Sequence, residues 1–247
     1  MKAFSTMFKT ELKLSLRGMD MVIYAICMPV VVMVIIGIIY RNKPAFDGAE
    51  YTFLAQSFGA VSTIAICAAG VMGLPLVVSD YRHKKILKRF KVTPTSPALI
   101  LTVQVAINIL YAIVSLIFVY GAAKLLFGYQ MAGSWFRFLG SYALVILSIY
   151  SIGMMVGGIA PNIKTSNLLC SILYFPMLIF SGATLPYEVM PVALQNVADI
   201  LPLTQGIKLI KAASLGLPVD SVLIPVIVMI SLAVICISVS IRFFRWE

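Results

Sequence analysis

Six mainly apolar runs, most near the length that crosses a bilayer, constrain this chain more than any other feature. A membrane helix needs about 20 apolar residues at about 1.5 Å rise each. The runs lie at Met19–Tyr40, Phe53–Ser79, Ala98–Ala123, Phe138–Ala160, Leu168–Ser181 and Ser221–Ile241. The fifth is the shortest. Hydrophobic residues make up 61% of the chain and charged residues 11%, against about 45–50% and about 25% in soluble domains. Folding alone cannot hide that much apolar surface, so lipid is the solvent for much of it. The expected fold is all-α integral membrane, in one transmembrane domain over residues 1–247. Prolines 29, 75 and 176 fall inside runs, which membrane helices tolerate when neighbours satisfy the freed carbonyls.

Charge orients the runs. Six cations fall within residues 82–91: Arg82, Lys84, Lys85, Lys88, Arg89 and Lys91. An even number of spans puts both termini on one side. Thirteen of the nineteen cations then share that side and six lie on the other. By the positive-inside bias, both termini and the basic loop at 80–97 are expected in the cytoplasm, with the chain multi-pass in the plasma membrane. The net charge of +10 comes from this clustering between apolar runs. It is the signature of topology, and no nucleic-acid partner is expected.

Two segments are expected to lie on the membrane or dip into it. Within residues 1–18, Phe4, Phe8, Leu12 and Leu16 recur every fourth residue beside Lys9, Lys13 and Arg17. That pattern reads as an interfacial amphipathic helix against anionic lipid. No cleavable leader is visible here, so the first span is expected to serve as its own insertion signal. Within residues 182–219, prolines 186, 191 and 202 cut the chain into pieces too short to span. Leu194, Val197, Ala198 and Leu201 share one helical face, and Gln195, Asn196 and Asp199 another. The expectation is a broken, partly re-entrant hairpin before the sixth helix on the outer side, where broken segments often lie near a substrate route. A surface-lying loop is the other reading.

Catalytic patterns are missing. The one histidine, His83, lies in the basic loop, so no Ser–His dyad can form within the spans. There is no His-Glu-x-x-His motif and no Gly-x-x-x-x-Gly-Lys-Ser/Thr phosphate loop. The four cysteines sit apart in apolar runs as packing residues. No enzyme activity, metal or cofactor is expected of the chain itself; if transport uses ATP, another polypeptide binds it. Intramembrane polar residues are few. Gln56 in the second run and Gln104 and Asn108 in the third could line a substrate path or bond neighbouring helices, at about 0.6–2 kcal/mol each. The structural role is the preferred one. Gly153-x-x-x-Gly157 offers a small-residue face for close helix packing.

The loop Tyr81-Arg-His-Lys-Lys-Ile-Leu-Lys-Arg-Phe-Lys-Val-Thr-Pro94 resembles that of ABC-2-type exporter permeases, which often reads Arg-Glu-Lys-Gly-Ile-Leu-Lys-Arg-Leu and ends in Thr-Pro. Leu178-Ile-Phe-Ser-Gly-Ala-Thr-Leu-Pro186, Met190-Pro191 and Pro202-Leu-Thr204 are similar to that family's landmark after span five, and Ile159-Ala-Pro-Asn162 fits before it. The resemblance covers essentially the whole chain. It implies a six-helix permease subunit that pairs with a second permease, in a homo- or heterodimer. Two ATPase subunits would bind ATP and magnesium and drive export of a drug-like, lipid-like or peptide substrate. It also implies that Arg82–Lys91 is a coupling helix. Arg82, Lys84, Lys85, Lys88 and Arg89 would supply charge, and Ile86, Leu87 and Phe90 apolar anchors. Two positions depart from the pattern: His83 replaces an acid and Lys85 a glycine. The loop is therefore more basic than usual, which adds membrane lipids as an expected contact. The competing expectation is a non-transporting scaffold or sensor that anchors an ATPase or other partner in the same fold.

Overall fold

The computed structural model describes residues 2–40, 43–46, 48–49, 51–86, 97–183, 187, 190–218 and 222–243. Nine helices are described: α1 Lys2–Gly18, α2 Val22–Tyr40, α3 Phe53–His83, α4 Pro97–Phe127, α5 Trp135–Ile159, α6 Ile163–Phe180, α7 Val192–Ile200, α8 Pro202–Leu215 and α9 Leu223–Phe243. Six of these, α2 to α6 and α9, are long and apolar enough to cross a membrane. The chain is all-α, and its only β pairing among the described residues is an isolated bridge between Pro44 and Thr52. The fifth span begins at Ile163 rather than Leu168. Asn162 accepts the Thr165 N–H at 2.8 Å and caps a polar first turn that hydropathy alone does not register.

α3 is the central element. At 31 residues it is about 46 Å long, well beyond a hydrocarbon core of about 30 Å. Its first half is buried almost throughout, against α2, α4 and α8, and its second half packs along α5 and α6. Proline explains its irregular middle. Pro75 has no N–H for the carbonyl of residue 71, and Ala68–Gly73 just ahead of it runs as a π-helix. α2 repeats the pattern, with π-helical Val22–Cys27 before Pro29. Near Phe53, at the far end of α3, Phe58 and Phe138 are fully buried in an aromatic stack with Tyr129 and Tyr142.

α1 sets Phe4, Phe8 and Leu12 against Ala25 of α2 and Val103 and Ile107 of α4. The ridge expected to face lipid is thus partly covered by protein, while Leu16 at its end is exposed. Met19, at φ +59°, makes the turn into α2. At the other end of the chain, α7 is only 9 residues and α8 only 14, each too short to span. α8 is nonetheless buried over most of its length among α3, α5 and α9. Pro202 starts it and Gly216, left-handed at φ +72°, ends it. The polar face expected on α7 ties it to its neighbours. Gln195 donates to the carbonyls of Tyr187 and Met190, and Asp199 pairs with Lys208 of α8 at 2.6 Å.

Candidate functional site

The basic stretch begins on the last turn of α3. Its first member, Arg82, is buried, and its Nη1 donates to the carbonyl oxygen of Gly158 at 2.9 Å. Gly158 lies in the last turn of α5, where carbonyls lack intrahelical donors and the helix dipole favours a cation. Arg82 therefore fastens the end of α3 to the end of α5. His83 completes α3, Lys84 bonds Asp80 at 2.7 Å, and the chain turns at Lys85. Ile86 follows, half-buried. Leu87, Lys88, Arg89 and Phe90 lie outside the described residues.

Lys85 sits at φ +56°, in the left-handed region. A side chain there costs about 1–2 kcal/mol that glycine avoids. That is a physical reason for glycine at this point of the loop pattern. Lys85→Gly is expected to stabilise the protein by about 1 kcal/mol, raising the thermal midpoint by about 2–4 °C. Differential scanning fluorimetry of the detergent-solubilised chain reads this directly; a lowered midpoint contradicts it.

One helical position before Arg82, Tyr81 donates its hydroxyl to Oε2 of Glu11 on α1. Gln104 of α4 donates Nε2 to the same carboxylate oxygen at 2.8 Å and to the Tyr81 hydroxyl at 3.1 Å. One turn on, Asn108 Nδ2 donates to the backbone carbonyl of Gln104 at 2.8 Å, and the backbone carbonyl of Asn108 accepts from the Tyr150 hydroxyl of α5 at 2.7 Å. α1, α3, α4 and α5 are thus joined by polar contacts beside the basic stretch. Next to them a cavity of about 730 Å3 has Glu11, Asp20, Asp80 and Lys164 among its walls.

Gln56 lies elsewhere. It lines a separate cavity near the start of α3, 25 residues and about 37 Å along the helix from Tyr81. The structure therefore does not bring Gln56 together with Gln104 and Asn108. Ser62 and Thr63 bond back to the carbonyls of Gly59 and Ala60 in their own helix. Gly153 faces the π-helical stretch of α3, and Gly157 faces Pro75 and Val78 just beyond it. A Cβ on Gly153 would fall on the carbonyl oxygen of Gly70, and one on Gly157 would lie 3.0 Å from Pro75 Cα. Sequence reasoning passed over Glu11. The signal was there: it is the lone acid in a basic helix, placed beside the apolar ridge.

The family model of the ABC-2 type transporter matches residues 2–215. This chain belongs to the ABC-2 type transporter family. It is 34% identical to nodulation protein J of Rhizobium leguminosarum bv. viciae over 107 residues, 41% of this chain and 39% of that protein. It is 24% identical to the inner membrane transport permease YhhJ of Escherichia coli (strain K12) over 173 residues, 70% of this chain and 45% of that protein. In both comparisons the chain spans less than half the length of its relative. With six helices long and apolar enough to cross a membrane it is a multi-pass membrane protein, of a family whose permease subunits are not themselves catalytic and generally work with an ATPase.

Proposed function

We propose that this chain is the permease subunit of an ATP-driven exporter and forms the translocation path for a drug-like, lipid-like or peptide substrate. A separate ATPase subunit binds ATP and magnesium, and a second permease completes the path. The basic end of α3 and both termini face the cytoplasm of a plasma membrane, as the cation distribution favours. The observation that carries this reading is the anchoring of the basic stretch. Arg82 holds α5, and its neighbour Tyr81 meets α1 and α4 through Glu11 and Gln104. A push on the segment after His83 therefore moves four helices together. A solvated loop that served only to set topology would need no such contacts. The sequence holds no phosphate loop, which supports nucleotide binding by a partner. Names of relatives agree: one is called a transport permease.

Co-expression with an ABC ATPase from the same genome tests it. The two are expected to co-purify, and the complex in proteoliposomes should hydrolyse ATP faster when substrate is added. Association without substrate stimulation would favour the scaffold reading, and absence of association would remove the coupling role.

A further inference from the structure

α4 and α5 follow each other in the chain, yet among the described residues they scarcely touch. Two tyrosines of α5 bridge the gap. Tyr142 donates its hydroxyl to the backbone carbonyl of Ala112 at 2.8 Å, and Tyr150, about two turns on, donates to that of Asn108 at 2.7 Å. Both line a groove of about 570 Å3 walled by α4, α5 and α9. Val105, Ile109 and Ile113 form its α4 wall, and its α9 wall ends at Ile241. Along α5 it runs from Leu139 to Met154, fifteen residues and about 22 Å.

The chemistry of the wall selects hydrocarbon. No charged side chain lines the groove, and the hydroxyls of Tyr142, Tyr150 and Ser151 are already given to backbone carbonyls. That leaves little for water, which needs about 2–4 polar partners. Size then separates a lipid chain from a neighbouring helix. An acyl chain of one leaflet reaches about 15 Å, half of a hydrocarbon core of about 30 Å. A helix about 10 Å across would need about three times the groove's volume over the same length.

An acyl chain gains little by exchanging lipid for protein, so selection among lipids falls to the headgroup. Arg242 follows Ile241 directly and is exposed. Its guanidinium rests 5.9 Å from the Phe243 ring, and it forms no ion pair among the described residues. Arginines at the ends of membrane helices snorkel toward the surface, which brings this guanidinium to the level of a lipid phosphate. We propose that the groove between α4, α5 and α9 holds one acyl chain of an anionic phospholipid, with Arg242 meeting its phosphate. The lipid then acts as packing between two spans that do not pack on each other. This depends neither on the direction of transport nor on ATPase coupling.

Native mass spectrometry of the delipidated full chain in uncharged detergent tests this. Dioleoyl phosphatidylglycerol is the probe and dioleoyl phosphatidylcholine the zwitterionic control. The first phosphatidylglycerol should bind about tenfold more tightly than later ones, which join the ordinary lipid shell. It should also bind about fivefold more tightly than the first phosphatidylcholine, the scale of one arginine near an anionic headgroup. Ala143→Trp fills the groove from an exposed position on α5 and should remove the distinct first site. Ile235→Trp, exposed on α9 outside the groove, should keep it. Arg242→Gln should bring the two lipids to equal affinity. A phosphatidylglycerol with a diazirine in its acyl chain needs no variant: its adducts on the parent chain should concentrate on the peptides that carry Ile109 and Leu147. Equal affinity of all bound lipids, an unaltered first site in Ala143→Trp, no preference for phosphatidylglycerol in the parent chain, or adducts spread evenly over the spans would overturn the proposal. So would a dimer that Ala143→Trp abolishes, which would put a second copy in the groove.

Discussion

Gly153→Leu should leave no correctly assembled protein. On size-exclusion chromatography of the detergent extract, the monodisperse peak is expected to disappear. The cause is backbone meeting backbone. A Cβ at position 153 would fall on the Gly70 carbonyl oxygen of α3, with Pro75 Cδ 3.4 Å away. A crowded side chain can rotate aside; a carbonyl inside a proline-bounded π-helical stretch cannot, so α5 must withdraw from α3. Overpacking costs about 1–3 kcal/mol where side chains adjust, and more where they cannot. Even Gly153→Ala should therefore lower the thermal midpoint by about 5–10 °C, at about 2–4 °C per kcal/mol for a chain of this size. Gly157→Ala should cost less, since its Cβ would meet its nearest neighbours at 3.0–3.2 Å. Gly140, in the same helix, has open space where a Cβ would stand. Gly140→Ala should be neutral or gain up to about 1 kcal/mol from helix propensity. If Gly140→Ala and Gly153→Ala fall together, general glycine flexibility rather than this contact is responsible.

The same pair of glycines shows which features are legible in the sequence. A Gly-x-x-x-Gly spacing announces close packing, but only the fold shows that the opposing surface is the carbonyl of Gly70. The six spans are readable because membrane length and hydropathy act locally, run by run. Arg82 is different. It stands among six cations that all look solvated, and nothing in that run marks one of them as buried. Its role depends on the end of α5, 76 residues further along the chain, arriving with an uncapped carbonyl. Glu11 is similar, because its partners Tyr81 and Gln104 come from two other helices. Hydropathy also shortened the fifth span. The polar first turn after Asn162 is helical by capping, not by apolar content.

Burial sets Arg82 apart from the rest of the basic stretch, and a variant that tests the proposed coupling role has to act on the later residues alone. Ile86 and Phe90 are four residues apart, so on a continuing helix they share a face. Ile86 takes no part in the hydrogen bonds that hold Arg82 to Gly158 or Tyr81 to Glu11. Ile86→Asp with Phe90→Asp should therefore leave membrane insertion and the thermal midpoint of the chain unchanged within about 2 °C. Placing two carboxylates in an apolar docking groove costs several kcal/mol in total, at about 1–3 kcal/mol for each unsatisfied polar group. Affinity for the ATPase should then fall by about 100-fold or more. Substrate-stimulated ATP hydrolysis in proteoliposomes should vanish, while the isolated ATPase keeps its basal rate. Removing charge alone should act differently. Lys84→Gln with Lys88→Gln should slow association and weaken its salt dependence, with a smaller change in affinity, because rim charges steer encounter more than they hold a complex. Normal coupling in the double aspartate variant would mean that the ATPase engages this subunit elsewhere. The polar contacts among α1, α3, α4 and α5 would then only hold the bundle together.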